Sequence, residues 1–427
     1  MERKGILIKN GYLLDPANSR KGYYDVLIEG ERIEKVEKEI LCGRNDGIIV
    51  DAKSKIVSPG FIDLQVNPGK TIEYICEMLP FCGITTCLVM PCNIQEKPFL
   101  SYYGGLKGVI QASEGQRVNV ANAISVEPQD TRNHETYMEL AVPSGQIESR
   151  VAELIEWGIA AIGEVVLPLG GIAHIASNMS EEFLDQLLYV TERYDIPVFL
   201  HTGLGLRGIE KAVEVSNGRK LHICHVGSTC SQDNIHRALI SLAEHNNVTS
   251  DTHLSEVAGS NSRNSHLVTE YFMKGQVMQI DANTLEVKKL ESLDHAQPPF
   301  YYNKVNLFEN NIICAISEEV DAIESDDLGD GVRSRILLKN LFKLINAVAL
   351  EHVRHELMYK MIRKLTYNPA RILKINRGSL GEGALADVVV LDLVNEKVET
   401  VIVNGEIVLF DGKLTSRKGG RRISYKS

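Results

Sequence analysis

Short apolar runs alternate with amphipathic stretches through the middle of the chain, and this alternation limits the folds that the chain can adopt. Eight runs have the length and apolar content of buried strands. They lie at Ser58–Val66, Thr85–Pro91, Val118–Val126, Ala160–Pro168, Val198–Gly203, Leu221–Gly227, Val248–Leu254 and Asp321–Asp326. Because helical stretches separate most of them, the pattern predicts an α/β protein with a parallel (β/α)8 barrel of the TIM type rather than an open sheet.

Two of the stretches between these runs have a helical pattern. Ser180–Tyr194 and Cys230–His245 carry apolar residues at three- and four-residue spacing. The first begins with a serine followed by acids, which suit the N-terminus of a helix. The long interruption Ser255–Glu319 is predicted to be a loop-rich excursion between the seventh and eighth strands.

The two ends of the chain share a strand-rich pattern that differs from the middle. The first 57 residues contain apolar runs separated by glycine and asparagine turns, and the same pattern returns in Ala386–Asp392 and Val401–Val408. Ends that share one pattern around a different middle indicate one discontinuous β-domain. We therefore predict a β-domain made of residues 1–57 and 378–427 around a barrel at residues 58–377.

The composition excludes several classes of protein. A net charge of −10 and a pI near 5.7 argue against a nucleic-acid binder, which would carry a basic face. The basic segment Arg417–Arg422 is too short to change this, and we interpret it as a solvated end. The eight cysteines have no Cys-x-x-Cys spacing, which indicates reduced thiols. No apolar run has membrane-spanning length, so we expect a cytoplasmic protein without a membrane partner.

Polar side chains follow the predicted strands at their carboxyl ends, where barrels of this type place their active residues. They are Gln65, Asn67, Asn93, Glu164, His201, His225, His253 and Asp326. Glu164, His201 and His225 form an ordinary three-ligand set for catalytic zinc. A carboxylate in an apolar strand is costly to bury without a partner, which supports this interpretation. The alternative is that each of these side chains only braces a neighbouring loop.

Several segments resemble the amidohydrolase superfamily. Pro59–Asn67 is similar to its first barrel strand, whose usual form is Pro-Gly-Phe-Ile-Asp-x-His-x-His. Phe199–His201 and His222–Val226 resemble the strands that carry its metal-binding histidines, and Asp321–Asp326 resembles its last strand. Gly83–Pro91 and Thr252–Leu254 are most similar to the dihydroorotase and hydantoinase branch. The resemblance implies a barrel accompanied by a small β-sandwich that both termini build.

Two departures from this family's pattern concern the metal. The paired histidines of strand one are Gln65 and Asn67 here, and Glu164 stands where the branch has a carboxylated lysine that bridges two metals. Both replacements are similar to the site of N-acetylglucosamine-6-phosphate deacetylase, which uses one metal held by Glu, His and His. The resemblance therefore implies one divalent metal ion, with zinc expected, bound by Glu164, His201 and His225. It also implies that Asp326 is the acid/base, and we assign substrate contacts to Gln65, Asn67, Asn93 and His253.

The expected function is metal-dependent hydrolysis of a carbon–nitrogen bond in an amide or cyclic amide of a small molecule. A dihydroorotase is not expected, because that family's substrate-binding arginine is Gly69 here and its Pro-Pro-Leu-Arg element is Pro298–Tyr301. Two alternatives remain open: a catalytically silent dihydroorotase-like scaffold or regulatory subunit, and a deaminase on the same site. We also expect a homo-oligomer without a nucleic-acid partner.

Overall fold

The computed structural model describes residues 5–41, 47–67, 69–91, 97–128, 141–143, 145–167, 179–203, 205–231, 233–261, 263 and 265–426. Strands β1 to β7 come first: β1 (Ile6–Lys9), β2 (Tyr12–Asp15), β3 (Arg20–Tyr23), β4 (Asp25–Glu29), β5 (Arg32–Glu37), β6 (Ile48–Asp51) and β7 (Ile56–Pro59). The last five are β22 (Val388–Asp392), β23 (Lys397–Val403), β24 (Glu406–Phe410), β25 (Lys413–Leu414) and β26 (Arg422–Ile423).

Strands from both ends of the chain pair with one another. Among the described residues, one sheet has the order β5-β4-β1-β6, and a second has the order β25-β24-β23-β22-β7-β2-β3. Antiparallel pairing of β22 with β7 joins the two ends directly, with Val390 opposite Val57. Apolar side chains of both sheets, such as Ile8 and Val390, share one buried cluster. The sequence prediction of a β-sandwich built from both termini is confirmed, and the residue ranges of the domains stay a prediction.

A parallel barrel forms the centre of the molecule. Its eight strands in the described ranges are β8 (Phe61–Val66), β9 (Ile84–Val89), β10 (Asn119–Ile124), β13 (Ala161–Leu167), β14 (Val198–Thr202), β15 (Leu221–Ile223), β16 (Val248–His253) and β21 (Ala322–Glu324). A parallel bridge between Val66 and Asp327 brings the first and last strands together, and the Asn67 N–H donates to the Asp327 carbonyl at 2.7 Å. The predicted barrel is therefore confirmed.

The lumen of the barrel is packed with side chains. Those that form this buried cluster include Ile62, Leu64, Leu88, Met90, Ala121, Ala123, Ala161, Phe199, Cys224 and Ala322. Alternate residues of a strand point to opposite faces, so the intervening residues pack outward against the helices. A filled lumen leaves the carboxyl ends of the strands as the surface on which a site can form.

Helices cover the outside of the barrel. They are α1 (Ile72–Met78), α2 (Lys97–Tyr102), α3 (Leu106–Ala112), α4 (Ile147–Trp157), α5 (Glu181–Tyr194), α6 (Gly205–Ser216), α7 (Val226–Thr229), α8 (Ile235–Ala243), α9 (His266–Met273), α10 (Leu307–Ile316), α11 (Val332–Asn346), α12 (Glu351–Leu365) and α13 (Tyr367–Leu373). Ser180 caps α5 by accepting a hydrogen bond from the Phe183 N–H, as predicted. The predicted helix Cys230–His245 is too long, because Asn234 caps a helix that begins at Ile235.

Two predictions about irregular segments need correction. The interruption 255–319 holds a four-stranded antiparallel sheet of order β17-β20-β18-β19, made of β17 (Ala258–Ser260), β18 (Val277–Ile280), β19 (Val287–Lys289) and β20 (Phe300–Tyr302). Strands this short leave little periodicity in a sequence. The basic tail is not free, since β26 pairs with β10 and buries Ile423, although Arg422 itself is exposed.

Two smaller features complete the fold. The short strands β11 (Glu127–Pro128) and β12 (Ala141–Val142) pair beside the barrel. The six cysteines in the described part of the chain are free and buried: Cys76, Cys82, Cys87, Cys224, Cys230 and Cys314. None of the described helices is long and apolar enough to cross a membrane.

Candidate metal centre

Three neighbouring strands bring the predicted metal ligands to one edge of the barrel. Glu164 lies in β13, His201 in β14, and His225 follows β15 directly. Parallel pairing places Val166 opposite His201, and the next pair of strands aligns Phe199 with His222. The carboxyl ends of the three strands therefore lie side by side, and side chains that are 24 to 61 positions apart in the sequence can meet.

The donor atoms of these side chains form a small triangle. Nδ1 of His201 is 3.1 Å from Oε1 of Glu164 and 2.7 Å from Nε2 of His225. Nε2 of His225 is 3.2 Å from the same carboxylate oxygen. A tetrahedral zinc ion with bonds of about 2.0–2.1 Å holds its ligand atoms about 3.3 Å apart, close to these separations. Two imidazole lone pairs and a carboxylate that converge in this way fit a shared cation.

The charges of the triangle keep Glu164 ionised and favour a positive charge beside it. Burial raises the pKa of Glu164, but the His201 and His225 rings outweigh burial and hold this pKa below its ordinary value. Burial lowers the pKa of His225, whereas Glu164 raises it, and the net shift is upward. A buried carboxylate that stays ionised beside two imidazoles gives a ligand set that suits a divalent ion.

A buried carboxylate supports His225 from behind. The His225 backbone has a φ of 39°, and its N–H donates to Oδ1 of Asp251 at 2.5 Å. The other oxygen of Asp251 is 2.8 Å from Nε2 of His222. The left-handed backbone at His225 ends β15 at Ile223 and turns the imidazole into the triangle, so the predicted strand Leu221–Gly227 is shorter than expected. Asp251 is a supporting residue that the sequence prediction missed.

A second carboxylate lies beneath the triangle. Atoms of His225, Asp251 and Glu324 that could bind a metal lie within 4.8 Å of one another. Glu324 is fully buried, and neither of its carboxylate oxygens has a hydrogen-bond partner among the described residues. Burial first, and then the charge of Asp251, raise the pKa of Glu324 well above its ordinary value. A protonated, neutral Glu324 is consistent with this position in the packed lumen.

Asp326 lies at the end of the last barrel strand, as predicted. The strand β21 leads into it, whereas Glu318 follows helix α10 and is not at the end of a strand. Oδ1 of Asp326 accepts hydrogen bonds from Gln65 Nε2 and Asn67 Nδ2, each at 3.3 Å. Its Oδ2 accepts one from Arg333 Nη1 at 2.5 Å. The two strand-one side chains therefore contact the predicted acid/base directly.

The comparisons with known proteins bear on the same region. The model of the amidohydrolase family matches residues 56–408, which include the whole barrel. The chain belongs to the amidohydrolase family. Members of this family are metal-dependent hydrolases, and this amidohydrolase acts on carbon–nitrogen bonds, other than peptide bonds, of small molecules.

Relatives agree with this membership. The dihydroorotase of Clostridium acetobutylicum is 25% identical, over 95% of this chain and 100% of its own length. The dihydroorotase of Elusimicrobium minutum is 24% identical, over 91% of this chain and 88% of its own. Among solved structures, the dihydropyrimidinase of Brevibacillus agri has a TM-score of 0.67 at 12% identity, with 99% of both chains covered. A D-aminoacylase has a TM-score of 0.71 at 17% identity, over 98% of this chain and 99% of that chain. These two structures show the shared fold.

The remaining residues with predicted substrate contacts are His253, Gln65 and Asn93. His253 ends β16, and its ring centroid lies 6.2 Å from that of His225. Its Nδ1 is 2.9 Å from Nη2 of Arg333. Oε1 of Gln65 is buried without a partner among the described residues, so it is free for a ligand. Asn93 lies outside the described residues.

The sequence analysis did not predict two positively charged side chains of the site, those of Arg333 and Lys304. Arg333 is 1% exposed and lies in the first turn of α11, which holds no acidic residue. Lys304 donates from Nζ to Ser228 Oγ at 3.3 Å, and burial followed by the Arg333 charge lowers its pKa to about 8. Neither residue lies at a strand end, so the strand-end rule could not find them. An arginine seven positions after the strand-eight aspartate was the only sequence signal.

Proposed function

We propose that this amidohydrolase binds one divalent metal ion, zinc, through Glu164, His201 and His225, and hydrolyses an amide or cyclic amide with Asp326 as acid/base. The observation that carries the proposal is the triangle of donor atoms, whose sides are 2.7, 3.1 and 3.2 Å. Two nitrogens and one oxygen are the ligand types of a catalytic zinc site that leaves one position open.

A single ion accounts for the strand-one side chains. Gln65 and Asn67 donate from their amide NH2 groups to Asp326, and these neutral amides stand where the family's usual first strand has metal-binding imidazoles. The two uncharged side chains therefore orient the carboxylate of the acid/base by hydrogen bonds. This arrangement supports one ion in the triangle rather than two.

Asp326 carries the proton in the proposed reaction. When bound, a zinc ion polarises the carbonyl of the substrate and lowers the pKa of water beside it. The oxygen of an attacking water forms a bond to the carbonyl carbon while Asp326 accepts a proton. The carbon–nitrogen bond then breaks as Asp326 delivers this proton to the leaving nitrogen. Gln65, Asn67 and Arg333 hold its carboxylate in place through both steps.

The substrate is not dihydroorotate in this proposal. Gly69 has a φ of 58°, and a Cβ atom there would lie 2.6 Å from the backbone of Gly329, so the position has no room for an arginine. Tyr301 is fully buried, and its hydroxyl donates to Asp330 at 2.8 Å. Neither position can supply the bidentate grip on a carboxylate that the dihydroorotase pattern uses.

A catalytically silent scaffold is not supported, because the chain belongs to a family of metal-dependent hydrolases. Three donors contact the two oxygens of Asp326, and a carboxylate has about four acceptor sites, so one remains for a water. A deaminase would use the same residues, and it differs in releasing ammonia.

We further propose a cytoplasmic homo-oligomer, for which the buried free thiols are consistent with a reducing compartment.

Metal analysis tests the proposal directly. Elemental analysis of protein purified with zinc should give about one zinc per chain, and His201→Ala and His225→Ala should each remove it. His355→Ala is the matched control, because this histidine stacks on Tyr12 at 4.2 Å on the outside of the barrel and should keep the metal. Two tightly bound ions, or none after zinc supplementation, would contradict the single-metal site.

A panel of amides and cyclic amides then separates the alternatives. Release of a carboxylate together with an amine or a ring-opened product supports hydrolysis of an amide. Release of ammonia without formation of a carboxylate supports a deaminase. A metal-loaded protein that turns over nothing in such a panel supports the scaffold.

A further inference from the structure

Arg333 connects two strand ends of the site through one guanidinium group. It is 1% exposed, and burial of a charge without partners is strongly unfavourable. Its Nη1 donates to Oδ2 of Asp326 at 2.5 Å, and its Nη2 is 2.9 Å from Nδ1 of His253. The planar fork of an arginine can hold two acceptors at fixed positions at once, which an ammonium group cannot do.

The contact with Arg333 fixes the proton of His253. A guanidinium only donates hydrogen bonds, so Nδ1 of His253 must accept and must carry a lone pair. In a neutral imidazole the proton is then on Nε2.

Asn311 is a second, more distant donor on the same side of the ring. Its Oδ1 accepts a hydrogen bond from Thr252 Oγ1 at 3.0 Å, and its Nδ2 donates to the Ser255 carbonyl at 2.9 Å. These two bonds define which end of the amide is NH2, and this NH2 lies 3.5 Å from Nδ1 of His253. Two donors therefore point at one ring nitrogen.

The other nitrogen of the ring has no partner in the described part of the chain. Nε2 of His253 is buried and makes no hydrogen bond to the described residues. Its ring lies beside His225 of the triangle, with centroids 6.2 Å apart. A buried N–H without a partner is unfavourable, and a bound substrate oxygen would satisfy it.

We propose that Arg333 is a positioning residue that locks His253 in the Nε2–H form, as a neutral donor to an oxygen of the substrate, while the same guanidinium orients Asp326. This inference rests on the proposed function for its substrate. It goes beyond that function by assigning a donor that needs no metal and by naming the residue that sets its tautomer. A donor directed at a developing oxyanion contributes most in a water-excluded site.

Nitrogen NMR of histidine-labelled protein tests the tautomer without any turnover. The His253 signals, identified by their loss in His253→Gln, should show a neutral ring protonated on Nε2 in the wild type. In Arg333→Met the ring should become a mixture of both neutral forms or gain a second proton. Arg335→Met is the matched control, because Arg335 carries the same charge on α11 and donates to the carbonyls of Ala282 and Asn283.

A second variant keeps the test decisive where Arg333→Met fails to fold. Arg333→Lys keeps the charge, but one ammonium group cannot hold both Asp326 and His253, so its His253 signals should also differ from the wild type. A wild-type ring protonated on Nδ1, or wild-type signals in a folded Arg333 variant, would overturn the proposal. Metal analysis is read separately: a wild type without metal but with the Nε2–H ring defeats the single-metal proposal and leaves the role of Arg333 intact.

Once a substrate is known, kinetics give a further readout. His253→Gln keeps a side-chain donor, whereas His253→Phe removes it. We expect His253→Phe to lower kcat by about 10²–10³, as for removal of one oxyanion donor, and His253→Gln to recover part of this loss. Equal kcat values for wild type and His253→Phe would contradict the donor role.

Discussion

Asp326 and Asp327 are adjacent residues of the same type with different surroundings. Asp326 is partly accessible, with 19% of its side chain exposed, and it accepts hydrogen bonds from side chains of strand one and from Arg333. Asp327 is fully buried and accepts from backbone N–H groups of the loop that follows β21. A carboxylate that reaches the site can move a proton, whereas one enclosed by backbone donors organises a loop.

The first prediction concerns Asp326. Asp326→Asn should retain the fold and the metal but lower turnover by about 10²–10⁴, because an amide cannot accept the proton of the attacking water. Glu318→Gln is the control, since Glu318 pairs with Lys360 at 2.5 Å before β21 begins. Steady-state kinetics on an identified substrate provide the measurement. Near-wild-type activity of Asp326→Asn together with an inactive Glu318→Gln would show that the proton carrier is misassigned.

At the scale of elements, the loop between β21 and α11 depends on Asp327. Its Oδ1 accepts from the N–H groups of Gly329, Asp330 and Gly331, and its Oδ2 accepts from the N–H and hydroxyl of Ser334. One carboxylate thus orders the turn and the start of the helix that carries Arg333. This order explains how a residue on a helix can be held against two strand ends.

The second prediction follows from this network. Asp327→Asn places an NH2 group against the donors of Ser334, so a buried polar contact is lost, and we expect the free energy of unfolding to fall by about 1–3 kcal/mol. Urea unfolding followed by circular dichroism measures this change. Asp326→Asn serves as the comparison, and equal stability of the two variants would contradict a structural role specific to Asp327.

Lys364 supports another element end. It is 2% exposed and donates from Nζ to the carbonyls of Cys314 at 3.3 Å and Ser317 at 2.5 Å, where α10 ends. A positive charge there interacts favourably with the helix dipole. Burial nevertheless lowers the pKa of Lys364 from 10.5 to about 8.

The third prediction is a pH dependence with a defined sign. Between pH 8 and 10.5 the unfolded chain still holds the Lys364 proton that the folded chain has released, so this group raises stability as pH rises. Lys364→Met should lack this rise, and one pKa unit corresponds to about 1.4 kcal/mol. Lys360→Met, one turn earlier in α12, is the control. Parallel stability curves for wild type and Lys364→Met over this range would contradict the shift.

At the scale of the whole molecule, the two termini and the barrel form one connected structure. β22 pairs with β7, which leads into the first barrel strand, and β26 pairs with β10. The triangle joins β13, β14 and the end of β15, so an ion bound there would connect three strands of the closed barrel. Binding to the folded chain alone stabilises the whole domain by mass action.

The fourth prediction therefore concerns thermal stability. Zinc at a hundredfold excess over its Kd should stabilise the folded wild type by about 2.7 kcal/mol, and a chelator should reverse this gain. Differential scanning calorimetry measures the Tm in each condition. His201→Ala should show neither change, because it lacks one of the three ligands. A wild type whose Tm is insensitive to zinc and to chelator would argue against the site.

Local sequence patterns predicted much of the architecture. Apolar runs of strand length and helical spacings predicted all eight barrel strands, and the capping serine predicted the start of α5. A strand or helix with one buried face needs apolar residues at a regular spacing, and this spacing can be seen in the sequence. The sheet at residues 258–302 was missed because its strands are short and two of them, Ala258–Ser260 and Val287–Lys289, are not apolar runs. Its stability comes from pairing and packing rather than from periodicity.

The sequence alone determined which residue types stand at the strand ends, including Glu164, His201 and His225. Only the tertiary structure decided that Arg333 meets Asp326 and His253, or that Asp251 supports His225 from behind. The physical reason is that strand ends follow from local periodicity, whereas these contacts join residues brought together by closure of the barrel. The partner of a buried charge depends on the tertiary structure, and the spacing of residues along the sequence does not predict it.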